Sequence, residues 1–154
     1  MISLNIFMKS LVSFFLAVNL FISMTTTVNA DEDGYKAVIQ ISSSDERAHR
    51  RALNQVGWIL DEFKFEDLSD DIALEVVAIG PAFNLLARDG KFANNVKKLM
   101  KRGVIFTADA SIQKMMKKHK LPTDLVVGVK HVKVGPAHIV RLQMQDYKYL
   151  ALFF

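Results

Sequence analysis

The 154-residue chain contains no cysteine. That absence removes disulfides, thiolate nucleophiles, cysteine-ligated metal centres and a lipid-modified thiol at one stroke. Proline and glycine are sparse, at three and seven residues, and no repeat, low-complexity stretch or interdomain linker interrupts the chain. Histidine occurs four times, at 49, 119, 131 and 138, and no two are spaced four apart, as a pair of metal ligands on one helix face would be. Neither sign of charge dominates, since 20 basic residues stand against 16 acidic ones. So even a balance gives no indication of a nucleic-acid partner.

The first thirty residues differ from the rest. Lys9 is their only charge, and it precedes an apolar run from Leu11 to Met24 interrupted by Ser13, Asn19 and Ser23. Val28-Asn29-Ala30 then supplies small residues of the kind that a signal peptidase accepts. A bilayer-spanning helix needs roughly 20 apolar residues, so the segment reads as a cleavable signal peptide over residues 1–30, with a retained anchor as the alternative. Either Met1 or Met8 serves as initiator without changing the product. Residues 31–154 are then one exported domain, periplasmic or secreted, with no stable membrane anchor after cleavage. Loss of Lys9 lowers the formal charge from +4 to +3, and a chain of about 120 residues is an ordinary size for one core.

Within that domain, Lys36 to Ile41 is a β-rich run closed by Ser42-Ser43-Ser44-Asp45, which offers both a turn and helix-capping oxygens. A helix from Asp45 to Phe63 follows, with Leu53, Val56, Leu60 and Phe63 on one face and Trp58 and Ile59 broadening the stripe. Leu74 to Ile79 is nearly continuous in apolar residues, as expected for a strand covered on both sides, and Gly80-Pro81 ends it. A short helix carries Phe83, Leu85 and Leu86, and a second, with Phe92, Val96, Leu99 and Met100, is closed by Gly103. Val104 to Thr107 reads as a third strand. The helix after it places Ile112, Met115 and Met116 inward, and His131 to Val134 forms a fourth strand. Gly135-Pro136 opens a helix with Ile139, Val140, Met144 and Tyr147 inward, and Tyr149 to Phe154 supplies a fifth strand. Alternating strands and helices of this kind predict an α/β domain of three layers, α/β/α, around a mainly parallel sheet of about five strands. The apolar ending from Leu150 to Phe154 belongs in an inner strand or a subunit contact.

Ligands of open α/β sheets gather beyond the carboxyl ends of the strands. Four loops qualify: 42–45, 80–84, 107–111 and 135–138. The ligand-binding candidates are Ser42, Ser43, Asn84, Thr107, Asp109, Ser111 and His138. Asp109, His138 and Ser111 are also the candidates for acid–base chemistry, because an aspartate beside an imidazole is a workable proton-transfer pair. Helix capping alone explains Asp45, and for Asp109, with Ser111, capping of the helix after the third strand is the alternative to catalysis. No cofactor and no metal site is implied. The lysines at 97, 98, 101, 114, 117, 118 and 120, together with Arg102 and His119, read as a solvated outer face.

Three segments resemble the DsrE/DsrF-like family, which includes the YchN-like proteins. They are Val76 to Pro81 with Leu85-Leu86, Gly103 to Ala108, and Val134 to Gln143 followed by Tyr147 and Tyr149. The likeness runs from about Tyr35 to Leu150. It implies a three-layer α/β/α fold assembled as a homotrimer or hexamer, with a pocket near subunit contacts. In the sulfur-relay members, a cysteine just after the third strand's alanine carries persulfide sulfur between partner proteins. Here Ala108 matches that alanine and Asp109 takes the cysteine's place, so persulfide transfer does not carry over. The function expected is that of an exported oligomeric binding or assembly protein, accessory to sulfur metabolism, acting on a periplasmic protein or small ligand. The alternative is a small-molecule hydrolase with Asp109 as general base.

Sequencing of the exported protein's amino terminus is expected to begin at Asp31. An intact first thirty residues on the exported protein would replace cleavage with retention as an anchor.

Overall fold

The computed structural model describes residues 34–67, 72–121 and 123–152. The signal segment and Phe153-Phe154 therefore lie outside the described residues. Strand β1, Tyr35–Ile41, ends where the serine-rich turn begins, and helix α1 occupies Glu46–Phe65. Asp45 caps that helix. Its backbone is extended (φ −72°, ψ 127°), and its carboxylate accepts from the N–H groups of Arg47 (3.3 Å) and Ala48 (3.2 Å). These are two of the amides that the first turn leaves without helical partners. The Asp45 N–H in turn donates to Ser43 Oγ at 3.0 Å.

Along α1, Leu53, Val56 and Leu60 are buried. Phe63 is half-buried and meets Tyr35 edge-on, with ring centroids 5.4 Å apart. Trp58 does not broaden the stripe as expected. Five residues beyond Leu53 it has turned about 140° away at 3.6 residues per turn, and it is 65% exposed.

Strand β2 is Ile72–Ala78, followed by a 3₁₀ segment, Gly80–Leu86, and helix α2, Ala93–Met100. Gly103 lies at φ +92°, the left-handed conformation that ends a helix cheaply only without a Cβ. Strand β3 is Ile105–Asp109, two residues longer at its carboxyl end than expected. A 3₁₀ turn, Ala110–Ile112, leads into the short α3, Gln113–Lys118, in which Met116 is buried but Met115 is 54% exposed. Strand β4 is Lys130–Val132, helix α4 is Gly135–Gln143, and strand β5 is Lys148–Leu150. The two edge strands pair over three residues each, so β4 stops short of Val134. β5 stops short of Leu152, which instead packs half-buried against the main core.

All four ladders are parallel and the strand order is β4-β3-β2-β1-β5. Three connections step in one direction across the sheet, from β1 to β2 to β3 to β4. The last runs back across β3, β2 and β1 to the far edge. Right-handed crossovers therefore set α1, α2 and α3 on one face and α4 alone on the other. The packing agrees. Leu74, Val76, Ala78, Ile39 and Phe106 join the large core with Val56, Phe83, Leu86 and Val96. Val38 and Val77 meet Ile139 and Leu142 in a much smaller cluster flanked by Ile79 and Tyr147. The result is a three-layer α/β/α domain with a thick layer and a thin one. In α4 the inward positions are Ile139 and Leu142, whereas Val140 and Met144, expected to face inward, are 55% and 80% exposed.

The two amide bonds, that from Arg47 first, hold the Asp45 carboxyl below its usual 3.8. A depressed carboxylate stabilises the fold fully above that value, and the contribution is lost as pH falls through the lower folded one. Asp45→Ala is therefore expected to lower stability near neutral pH and to flatten the decline of stability below about pH 4. Acid titration of unfolding, wild type against variant, checks this; parallel curves would remove the capping carboxylate as the cause.

Candidate functional site

A strand buried on both faces has no water to solvate a charge, yet β2 reads Ile-Ala-Leu-Glu-Val-Val-Ala. Glu75, at its centre, is 2% exposed. Alternation along the strand directs Leu74, Val76 and Ala78 into the large core, and sends Glu75 with Val77 toward α4. Two side chains meet it there. Thr107 Oγ1, from β3, donates to Glu75 Oε1 at 2.6 Å, and His138 Nε2, from the first turn of α4, bonds the same oxygen at 2.6 Å. A buried carboxylate costs several kcal/mol unless donors surround it, and these two contacts supply them. With a carboxylate as acceptor, His138 carries its proton on Nε2, and the bond is of the short, charge-assisted kind.

His138 is the histidine that the sequence singles out, and its partner is not the one expected. The buried carboxylate bonded to it is Glu75. Glu75 lies inside a run that is otherwise apolar from Leu74 to Ile79, and a lone acid in such a run is the signal the sequence carries. Thr107 is likewise not a loop hydroxyl: it lies within β3 and is fully buried.

Asp109 closes β3 and is 3% exposed. Its Oδ1 accepts the Ser111 N–H at 2.9 Å, so it caps the turn that follows, the alternative weighed for it above. Strands β3 and β4 are neighbours whose onward connections leave to opposite faces, which makes their carboxyl ends the switch point where α/β sheets open a crevice. Gly135, first residue of α4, fills this one. A Cβ on it would stand 2.8 Å from Ile79 Cγ1, closer than real Cβ atoms approach, and 3.0 Å from Asp109 Cβ, tighter than most.

The remaining candidates do not join this cluster. Ser42, Asn84 and Ser111 are exposed. Ser43 is absorbed locally: its hydroxyl accepts the Asp45 N–H, and its carbonyl accepts from Nε2 of the buried His49 at 2.6 Å. The His49 ring also packs edge-on against Phe92, at 5.6 Å between centroids. An open depression lined by Ser43, Asp45, Arg47, Ala48 and Arg51 lies at the start of α1. Among the described residues no group of three or more histidine, aspartate or glutamate side chains could hold a metal ion.

No protein-family model matches the chain, and no curated protein does. Among solved structures the chain is similar to MTH1491, a protein of unknown function from Methanobacterium thermoautotrophicum. The two are 30% identical over 75% of this chain and 97% of that one, with a TM-score of 0.59. The chain belongs to the family of that archaeal protein. The likeness extends over nearly the whole archaeal chain, and with it the three-layer α/β fold.

Glu75→Ala would leave Thr107 Oγ1 and His138 Nε2 without their acceptor, at a cost of about 1–3 kcal/mol for each donor left buried. Thr107→Val, which removes one donor and leaves His138 in place, is expected to cost less. Denaturant unfolding of the two variants measures the difference; equal losses would mean that the carboxylate contributes no more than one hydrogen bond.

Proposed function

We propose that this protein is an exported, oligomeric, DsrE-like binding or assembly protein that carries no persulfide chemistry. The observation that carries the reading is the end of β3. Ala108 is buried and Asp109 follows it, at the place where the sulfur-relay members that this chain resembles keep their cysteine. The Asp109 carboxylate is buried and already bonded to Ser111 N–H, and an aspartate holds no sulfane sulfur. The layered fold is compatible with the resemblance. An accessory part in exported sulfur metabolism, through partners that do carry cysteine, rests on the resemblance alone.

Assembly has separate support. The face covered by α4 is thin, and Val140 on that helix and Met144 at its end present apolar surface outward, as does Tyr149 on β5. Single exposed apolar residues are ordinary, whereas several on one side of a domain suit a subunit contact. The hydrolase reading, with Asp109 as general base, is the weaker, because Oδ1 of its carboxylate is bonded to the Ser111 N–H and the residue is 3% exposed.

Native mass spectrometry of the mature protein taken from its own compartment is expected to show a trimer or hexamer. A monomer would remove the assembly reading. Extra mass that disappears in Asp109→Ala would place a ligand at the end of β3, and a bare oligomer unchanged by that substitution would leave Asp109 a cap and direct attention to protein partners.

A further inference from the structure

The Glu75–His138 pair leaves one ring nitrogen unaccounted for. Nε2 is bonded to Glu75, and Nδ1 has no partner among the described residues. No buried side-chain nitrogen or oxygen among those residues lacks a hydrogen bond, so Nδ1 must reach solvent, in keeping with the 19% exposure of the side chain. The imidazole is therefore gripped from inside by a buried carboxylate, and it presents the lone pair of Nδ1 outward. A histidine serving only to neutralise Glu75 needs no such opening.

The surroundings are basic. From Leu125 to Gln145 the chain carries Lys130, His131, Lys133, His138 and Arg141 and no acidic residue. Lys130 pairs with Thr107 in the parallel register, so it lies one strand spacing, about 4.8 Å, from the threonine and on the same face of the sheet. Arg141 is three residues beyond His138, adjacent on the helix surface. Both are exposed. The buried acids of this face, Glu75 and Asp109, are each engaged by a donor.

We propose that His138 and Lys130, with Glu75 and Thr107 behind the imidazole, form a binding site for a small oxyanion bearing an ionisable hydroxyl: inorganic phosphate or a phosphomonoester. The ligand's P–O–H donates to Nδ1. When the proton transfers, the O–H bond breaks, its electron pair stays on oxygen, and the ring lone pair forms the new N–H bond. Glu75 then balances the imidazolium through Nε2–H while Lys130 faces the dianion. Glu75 and Thr107 are positioning residues in this arrangement. The site lies within one chain and does not involve Asp109, so its failure would leave the assembly reading untouched, and the converse holds.

The test uses purified protein with nitrogen-15-labelled histidine, titrated with inorganic phosphate, glycerol phosphate and sulfate. His138 is expected to show the Nε2–H tautomer, and phosphate is expected to shift its Nδ1 resonance saturably. Sulfate, which has no hydroxyl proton at neutral pH, should bind about tenfold more weakly than phosphate, the worth of one hydrogen bond to a charged group. Lys130→Gln should weaken phosphate by a similar factor without changing the tautomer. Glu75→Gln should let both tautomers appear. Tighter binding of glycerol phosphate would identify an ester as the ligand, and tighter binding of phosphate the free ion. An Nδ1 resonance unmoved at saturating phosphate, equal affinity for sulfate, or full binding by Lys130→Gln would overturn the proposal; the last two would reduce the basic surface to unspecific attraction of anions.

Discussion

A right-twisted strand feeding a helix can return to a parallel neighbour in one hand only, and the architecture of this molecule follows from that constraint. Because β1 to β4 are laid down in sequence across the sheet, their three connections must share a face. Because β5 lies beyond β1, the last connection must cross the other face in the opposite direction. One nine-residue helix, α4, thus covers what three helices and a 3₁₀ segment cover on the far side. The unequal layers, the small second core and the exposed Val140 and Met144 are consequences of this division.

The thin layer is where the polar chemistry lies. On the thick side the sheet meets apolar helix faces, and a carboxylate there would have no donors. On the thin side α4 begins within reach of β2 and β3, and His138 in its first turn bonds Glu75 while Thr107 closes on the same oxygen. This polar contact also orients the helix. Ile139 and Leu142 supply apolar burial, which is tolerant of small slides, whereas the hydrogen bond from His138 to a buried oxygen is not. At the helix start, the absence of a side chain on Gly135 allows α4 to settle against Asp109 and Ile79. The depth of that contact decides whether the imidazole reaches Glu75.

At the end of β3, Asp109 shows what a carboxylate does where a strand gives way to a turn. A thiol at the end of β3 would be a nucleophile beside a switch point. The carboxylate instead turns back to the amide of Ser111 and stabilises the chain reversal after the strand. Asp45 does the same after β1 with two amides. After two strands of this sheet, an aspartate thus caps the turn or helix that follows.

Much of this was readable from the linear chain, because the information is local. Periodicity along α1 located Leu53, Val56 and Leu60, the serine-rich turn located its cap, and glycine marked the end of α2, since each depends on neighbours a few residues away. Boundaries at the edges, β4 and β5 above all, depend on how far a partner strand extends and were misplaced accordingly. The inward face of α4 was misjudged for a similar reason: which residues of a short helix are buried depends on the angle at which it crosses the sheet. By itself the sequence determined the order of strands and helices, the capping residues and the lack of a thiol. Only the tertiary structure decided that Glu75, Thr107 and His138 share one oxygen, because the residues that satisfy a buried carboxylate lie 32 and 63 positions away along the chain and are brought to it by the pairing of β3 with β2 and by the crossing of α4 over the sheet.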